Sequence, residues 1–302
     1  MHEKACNSLG MSRTYWYVAM TKDEAQHSRW TFYEVVTFRK GSLLTMEEDL
    51  KRTALSAVKE GGAVLMKYFG KIRSVEYKGE INIVTEADKR AEEVVIAIIK
   101  NNYPDHRILA EETGDSEQHS SYKWIIDPLD GTTNYAHGYP CFCISIAVEY
   151  EGEILYGAIY DPMREELFTA EKGGGAHLNE KAITISSTQD LNQSLLCTGF
   201  PYDVRDDIDN NIIPFRNFLL KAQAVRRDGS AALDLCYIAA GRFDGFWEQK
   251  LHPWDVAAGS LLVTEAGGTM STFKGEKFSI YANEIVASNG KIHPQMVEIL
   301  RK

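Results

Sequence analysis

"WIIDPLDGTTNYAHG", residues 124–138, sets an apolar run directly before a cluster of polar groups. Its first three residues are large and apolar, which is typical of a buried strand. The run ends on Asp127 and Asp130, with Pro128 suited to the second position of a tight turn. A turn of this kind brings the carboxylates at its first and fourth positions to one side, so the two aspartates are predicted to face one ligand.

Glycine and hydroxyl side chains follow the two aspartates. Gly131 lacks the Cβ that would keep a ligand from the backbone, and Thr132 and Thr133 supply donors suited to an oxyanion or phosphate. Two carboxylates this close repel each other unless a divalent cation lies between them, and oxygen-only ligands favour Mg²⁺ over Zn²⁺. Taken by itself, the segment leaves an ordinary acidic turn as the alternative.

Two further apolar segments also carry acidic residues at their ends. "AEETG" supplies Glu111 and Glu112, and "LHPWDVAAG" sets Asp255 at the start of a helix, where the helix dipole tolerates an anion. For Asp255 a simple helix cap is the alternative. Because carboxylates recur after three separate apolar segments, the sequence favours a shared metal site.

Composition limits the class of protein. The chain has 302 residues, enough for one large domain or two packed lobes. Its net charge of −10 argues against a nucleic-acid partner, and no apolar run approaches the length of a membrane span. Five cysteines without a CxxC pair indicate buried free thiols in a reducing compartment. With no signal-peptide pattern at the N-terminus, the sequence predicts a cytoplasmic protein without membrane partners.

The periodicity of the sequence changes near residue 45. Residues 1–44 show no sustained period and are predicted to form an N-terminal extension, with disorder as one alternative. Residues 45–302 are predicted to form the main domain, in two packed lobes of about 45–185 and 186–302. Strands are grouped before helices instead of alternating with them, which indicates an α+β fold.

Individual elements follow from periodicity and caps. The patterns predict helices after Thr45 and Thr85 and at 230–240 and 255–266, and strands at 143–150, 154–160 and 166–170. "KGGGAH" lacks the strand and helix that flank a dinucleotide-binding loop, so a hairpin turn is predicted there.

Together these stretches resemble the inositol monophosphatase family, Mg²⁺-dependent and Li⁺-sensitive phosphatases of small phosphorylated sugars, polyols and nucleotides. The family's two signatures stand here as "DPLDGTT" and "WDVAAG", beside "AEE" and "VTEAD". The resemblance covers roughly residues 46–302, and "TGFPYD", "GSAALDLCYIAAGRFDGFWE" and "ASNGKIHP" are similar to the bacterial and plastid branch. It implies a layered α-β-α-β-α sandwich like that of fructose-1,6-bisphosphatase, and a homodimer.

The resemblance also implies roles for residues of this chain. Two to three Mg²⁺ ions would be held by the side chains of Glu111, Asp127, Asp130 and Asp255 and by the Leu129 carbonyl. Substrate contacts would come from Gly131, Thr132, Arg226, Gly229, Ser230, Ala231, Glu248 and Asp255. Catalysis would depend on Glu111 and Thr132, with Glu112 behind them.

One position departs from the family's pattern. The fingerprint D-x-V-T-x-x-D reads "NIVTEAD", so Asn82 stands where an aspartate is expected to pair with Thr132 and polarise the attacking water. Asparagine forms hydrogen bonds but cannot accept a proton. Slower turnover with retained binding is therefore predicted, with Glu112 taking over part of the role. In the alternative, Asn82 only orients Thr132 and the metals carry the chemistry.

The predicted activity is hydrolysis of inositol monophosphate to myo-inositol and phosphate by direct attack of a metal-activated water. Within the same class, fructose 1,6-bisphosphate, histidinol phosphate and phosphoadenosine phosphate are alternative substrates. A relative that binds metal or phosphate without catalysis is the alternative from a different class.

Overall fold

The computed structural model describes residues 15–17, 36–38, 46–71, 75–77 and 83–301. The chain divides into two compact units, Met1–Asp49 and Leu50–Lys302. In the first unit, β1 (Tyr15–Tyr17) and β2 (Val36–Phe38) pair antiparallel. The rest of residues 1–44 lies outside the described residues, so the prediction for the N-terminal extension is not tested here.

The second unit contains a small two-stranded sheet and a large eight-stranded one. The small sheet pairs β3 (Val75–Tyr77) with β4 (Ile83–Thr85). The strands of the large sheet are β5 (Arg107–Ala110), β6 (Gly114–Asp115), β7 (Tyr122–Asp130), β8 (Cys143–Tyr150), β9 (Glu153–Asp161), β10 (Glu166–Glu171), β11 (Gly175–Leu178) and β12 (Lys181–Ala182). Their order is β12-β11-β10-β9-β8-β7-β5-β6, and only β5 and β7 run parallel among these described strands.

A five-stranded sheet follows in the chain. Its strands are β13 (Leu195–Thr198), β14 (Ala224–Arg226), β15 (Gly245–Gln249), β16 (Thr269–Ser271) and β17 (Glu284–Ser288). They lie in the order β14-β13-β15-β17-β16, with β14, β13 and β15 parallel to one another.

Helices cover both sheets. They are α1 (Met46–Tyr68), α2 (Glu86–Asn102), α3 (Thr132–Ala136), α4 (Ile212–Leu219), α5 (Ala231–Ala239), α6 (Pro253–Glu265) and α7 (His293–Leu300). In the part of the chain that the structure describes, no helix combines the length and apolarity that a membrane crossing requires.

Side chains of adjacent strand residues point into different layers. On β7, Trp124 and Ile126 pack in one cluster with apolar residues of α1 and α2, whereas Ile125 packs in a second cluster with residues of α5 and α6. On β15, Phe246 joins that central cluster, and Trp247 packs on the far side with residues of α4 and α7. The result is the predicted α-β-α-β-α sandwich, with α5 and α6 between the two sheets.

The local predictions are largely confirmed. The strands of 143–150, 154–160 and 166–170 and the helices of 230–240 and 255–266 appear within two residues of their predicted ends. The glycine run lies in the hairpin that joins β10 to β11. Cys141, Cys143, Cys197 and Cys236 are buried free thiols, as predicted for cysteines in general.

The predicted tight turn at "DPLD" is wrong. Strand β7 continues to Asp130, and its pairing with β8 shifts register between Asp127 and Asp130. Pro128 has no N–H to donate to the ladder, which suits an irregular position. The Leu129 N–H donates to Asp127 Oδ1 at 2.9 Å instead of to a neighbouring strand. The strand therefore reaches the site as a bulged end.

Candidate active site

A cavity of about 590 Å³ lies where β7 ends, beside the N-termini of α3, α5 and α6. Most residues assigned by the resemblance line it: Glu111, Asp127, Leu129, Asp130, Gly131, Thr132, Gly229, Ser230, Ala231, Glu248 and Asp255. These residues come from both halves of the chain, before and after the linker between β12 and β13. The arrangement explains why carboxylates recur after separate apolar segments.

The basic residue at the cavity is Arg227 and not Arg226. Arg226 is the exposed last residue of β14 and is absent from the cavity wall, which Arg227 lines. Side chains of successive residues in an extended chain point in opposite directions, so Arg226 and Arg227 lie on opposite faces of the chain. The Arg227 guanidinium lies 5.9 Å from the centre of the Phe200 ring.

Glu112 does not line this cavity either, and its predicted place behind the catalytic residues stays a prediction. It lines a separate groove beside α2, together with Lys89 and Ile96. Asn82 lies outside the described residues, and its predicted pairing with Thr132 stays a prediction.

Thr132 contacts Asp88, a residue that sequence analysis did not assign. The Thr132 hydroxyl lies 3.1 Å from Asp88 Oδ1 and 3.0 Å from the Leu129 carbonyl. Asp88 Oδ2 accepts hydrogen bonds from the Thr85 N–H at 2.9 Å and the Thr85 hydroxyl at 2.5 Å, completing the cap of α2. Burial raises the pKa of Asp88 to about 6. The Asp88 carboxylate therefore contacts the Thr132 hydroxyl, although position 82 is asparagine.

Asp130 joins the large sheet to α5. Its Oδ2 accepts from the Ser230 hydroxyl at 2.6 Å and from the Ala232 N–H at 2.7 Å. Ser230 is the N-cap of α5, so the carboxylate meets the positive end of that helix. Burial raises the pKa of Asp130 to about 6, although these hydrogen bonds act in the opposite direction.

Asp127 lies among like charges. Burial raises the pKa of this carboxyl well above its usual range, and the charges of Glu111, Asp130 and Asp255 add to the rise. Neighbouring charges thus destabilise the charged forms of Asp127, Asp130 and Asp255 in one cavity.

Asp255 caps a helix and also lines the cavity. It is the third residue of α6, and its Oδ2 accepts from the His252 N–H at 2.7 Å, which caps the helix. Asp255 also lines the cavity, where burial and the charge of Asp130 raise its pKa well above the usual range.

Gly131 provides the backbone conformation at the end of β7. Its φ is +95°, and a Cβ at this position would lie 2.8 Å from the Cys141 carbonyl, so a larger residue does not fit. Asn134, the third residue of α3, donates to the carbonyls of Cys141 at 2.8 Å and Asp228 at 2.7 Å. This amide holds the loop before α5 against α3, and nothing in the sequence pattern singled it out.

Glu92 fixes the segment after Glu111. It is buried on α2, and its two oxygens accept from the backbone N–H groups of Glu112 and Thr113 at 2.9 Å each. Glu92 lies about twenty positions before Glu112 and Thr113 in the chain. Helical periodicity therefore explains why Glu92 is buried, but not which backbone groups it contacts.

The donor set suits a hard divalent cation. Four carboxylates and a backbone carbonyl line one wall, and the repulsion at Asp127 is the kind that a bound cation relieves. Across the residues described, no three His, Cys, Asp or Glu side chains are already set in an arrangement that could hold a metal ion. Asp127, Asp130 and Asp255 instead accept hydrogen bonds from the backbone N–H groups of Leu129, Ala232 and His252.

Over residues 46–302 the chain matches the profile of the Inositol monophosphatase family. An inositol-1-monophosphatase of Synechocystis is 45% identical over 249 residues, covering 82% of this chain and 87% of the relative. The Nus factor SuhB of Pseudomonas aeruginosa is 42% identical over 251 residues, covering 81% of this chain and 93% of that protein. The solved structure of inositol monophosphatase from Anabaena is 44% identical, with a TM-score of 0.78, and covers 85% of this chain and 97% of its own.

Proposed function

The chain belongs to the inositol monophosphatase family and is a phosphoric monoester hydrolase, and we propose that it hydrolyses inositol monophosphate with the help of Mg²⁺. The observation that carries this proposal is the single cavity lined by four mutually repelling carboxylates and by Thr132, whose hydroxyl contacts Asp88. A site for phosphate transfer to water needs such a charged wall beside a group that can move a proton.

The ligands we propose for two to three Mg²⁺ ions are Glu111, Asp127, Asp130, Asp255 and the Leu129 carbonyl. Bound Mg²⁺ would activate a water molecule and stabilise the charge on the leaving oxygen. The chain's own contribution is to hold these oxygens at the end of β5, at the end of β7 and in the first turn of α6.

Thr132 and Asp88 are proposed to handle the proton. A water that contacts the Thr132 hydroxyl oxygen can give up a proton there, while the threonine proton moves along the 3.1 Å contact to Asp88. The carboxylate of Asp88 is held in place by Thr85, so the relay needs no rearrangement. This assignment replaces the role that sequence analysis gave to residue 82.

The substrate is proposed to span the cavity. Its phosphate would lie against the backbone N–H groups of Gly131 and Thr132, and its hydroxyls would approach Glu248 and the start of α5. Glu248 is buried, and burial together with the charge of Asp130 raises its pKa to about 8. Its carboxyl group lies against Gly199, where any Cβ would overlap it.

The deciding experiment is phosphate release from D-myo-inositol 1-phosphate, with Mg²⁺ alone and with Mg²⁺ plus millimolar Li⁺. Rapid release that Li⁺ suppresses is the expected result. Release from fructose 1,6-bisphosphate, histidinol phosphate or phosphoadenosine phosphate, but not from the inositol ester, would reassign the substrate.

Glu92→Gln is expected to weaken Mg²⁺ binding about 10–100-fold, because residues that orient metal ligands typically have effects of this size. The amide keeps one acceptor but turns an NH₂ group towards the backbone N–H of Glu112 or Thr113. Glu93→Gln is the matched control, since Glu93 is exposed on the same helix and contacts Arg90. Activity would be titrated with Mg²⁺, and equal midpoints in both variants would contradict the role of Glu92.

A second candidate comes from the Pseudomonas relative, which is named a Nus factor. In that case the chain would bind metal or phosphate without catalysis, which is the non-catalytic alternative given by the sequence. Stabilisation by Mg²⁺ and inositol 1-phosphate without phosphate release would favour it. A homodimeric assembly and a cytoplasmic location stay predictions, which sedimentation and localisation measurements would check.

A further inference from the structure

One side of the active-site cavity is formed by residues 200–210, the segment between β13 and α4. Phe200, Pro201, Tyr202 and Asp203 of this segment line the cavity. Tyr202 is 57% exposed, so neighbouring protein atoms cover less than half of it. The position of this wall therefore depends on how the segment is attached to the rest of the protein.

The two ends of the segment are tied together by Asn211, which is fully buried. The Asn211 amide donates to the Thr198 hydroxyl and to the Gly199 carbonyl at 2.6 Å each. The oxygen of the same side chain accepts from the Trp247 indole N–H at 2.6 Å. Because the ends are fixed in this way, residues 200–210 form a flap whose outer part is placed by other contacts.

Two aspartates of the flap lie on one side of it. The Asp207 N–H donates to the Asp203 carbonyl at 3.0 Å, as in one turn of a helix, and residues four apart in such a turn are neighbours. A single ammonium group therefore reaches both carboxylates. Lys250 Nζ lies 2.7 Å from Asp203 Oδ2 and 2.6 Å from Asp207 Oδ2.

The backbone at the end of β15 places Lys250 beside the flap. Its φ is +60°, and its N–H donates to the Asn283 carbonyl at 2.7 Å. A left-handed backbone is disfavoured for a lysine and persists where the surrounding structure fixes it. The preceding residue, Gln249, is buried and donates to the Asp209 carbonyl at 2.7 Å. Successive residues after β15 thus bind the flap.

The charge of the flap makes the lysine necessary. Residues 203–209 contain four aspartates and one arginine, and the cavity beside them is lined by the carboxylates of the proposed metal site. Like charges repel, so the flap is held next to an acidic wall only if its own charge is offset. Exposed ion pairs are individually weak and are screened by salt, so this attachment is reversible.

We propose that Lys250 is a positioning residue for phosphate ester hydrolysis. Its two ion pairs attach the flap to the end of β15, and they thereby keep Phe200 and Tyr202 in the wall against which the substrate binds. This inference rests on the proposed function for the class of reaction, but not for the identity of the ester.

Lys250→Met is expected to raise KM for D-myo-inositol 1-phosphate about three- to tenfold without lowering kcat. Loss of two exposed ion pairs reduces the fraction of molecules with the flap in place by a factor of about this size. The ratio of the two KM values should approach one as NaCl is raised from about 0.05 to 0.5 M, because salt screens the pairs in the wild type. An unchanged KM in the variant would overturn the proposal.

Two further variants serve as controls for Lys250→Met. Lys250→Arg keeps donors for both carboxylates and should restore the wild-type KM. Lys172→Met removes an exposed lysine that pairs with Glu153 outside the cavity wall, and it should leave KM unchanged.

Asp207→Asn distinguishes attachment of the flap from direct binding of phosphate by Lys250. Asp207 does not line the cavity. We expect Asp207→Asn to raise KM and to add nothing to the effect of Lys250→Met, since both changes break the same contact. If Lys250 binds the phosphate itself, its release from Asp207 would lower KM, and that result would overturn the proposal.

Hydrogen exchange measures the flap without any turnover. The N–H groups of Asp206 and Asp207, which both donate to the Asp203 carbonyl, should exchange about three- to tenfold faster in Lys250→Met than in the wild type. Exchange in β7 should be the same in both proteins, and equal exchange across the flap would overturn the proposal. Failure of the proposed function would look different, since a wild type that releases no phosphate from the inositol ester would refute that substrate alone. The KM comparison would then use p-nitrophenyl phosphate.

Discussion

Asp88→Asn is expected to lower kcat about 10²–10⁴-fold with little change in KM, since this is the usual contribution of general acid–base catalysis. The substitution keeps an acceptor for the Thr132 hydroxyl but removes the group that takes up its proton. Measuring kcat and KM for D-myo-inositol 1-phosphate at saturating Mg²⁺ gives the result directly. Because Asp88 also caps α2, the Tm of the variant must be recorded alongside.

The matched variant is Asn82→Asp. Slower turnover with asparagine at position 82 implies that Asn82→Asp would raise kcat, because asparagine cannot accept a proton. With Asp88 already at Thr132, we now expect no such rise. If Asn82→Asp increases kcat while Asp88→Asn leaves it unchanged, the proton passes through residue 82 and the role given to Asp88 is wrong.

Asp127→Asn is expected to abolish stabilisation by Mg²⁺ and to lower kcat at least about 10³-fold, because metal activation contributes several kcal/mol. A ligand at about 100 times its Kd stabilises the folded protein by about 2.7 kcal/mol. For a domain of this size that corresponds to a rise in Tm of about 5–10 °C in the wild type. The variant should show no such rise.

In the absence of Mg²⁺, Asp127→Asn is not expected to lower the Tm. Without a cation, Asp127 is a buried carboxylate repelled by three neighbours, so replacing it with a neutral amide should leave the Tm unchanged or higher. Asp190→Asn, an exposed aspartate away from the cavity, serves as the control. A Mg²⁺-dependent rise in Tm that survives Asp127→Asn would exclude Asp127 as a ligand.

The residues of the cavity were predictable where they follow an apolar segment. Asp127, Asp130 and Asp255 each stand at the end of a strand or the start of a helix, and these are the points where a layered fold gathers its polar groups. Asp88 carries the same chemistry, but its spacing from Thr85 already explains it as a helix cap. Because this local pattern already accounts for Asp88, the sequence does not indicate its contact with Thr132.

Other features depend on geometry that a single sequence does not contain. Whether Arg226 or Arg227 faces the cavity depends on the phase of a short strand, and both residues carry the same charge. The proline in "DPLD" fits a turn and a bulge equally well, and only the pairing of β7 with β8 distinguishes them. Glu92 and Asn134 bind backbone groups far along the chain, and no side-chain pattern records such contacts.

The bond from Asp130 to the start of α5 has a practical consequence. Glu111, Asp127 and Asp130 precede the connection between Ala182 and Leu195, while Ser230, Glu248 and Asp255 follow it. A break in this connection would give two fragments, each holding part of the charged wall and part of the substrate cavity. Phosphate release after mixing would then measure reassociation of the fragments, so the chain is suited to use as a split-protein complementation reporter.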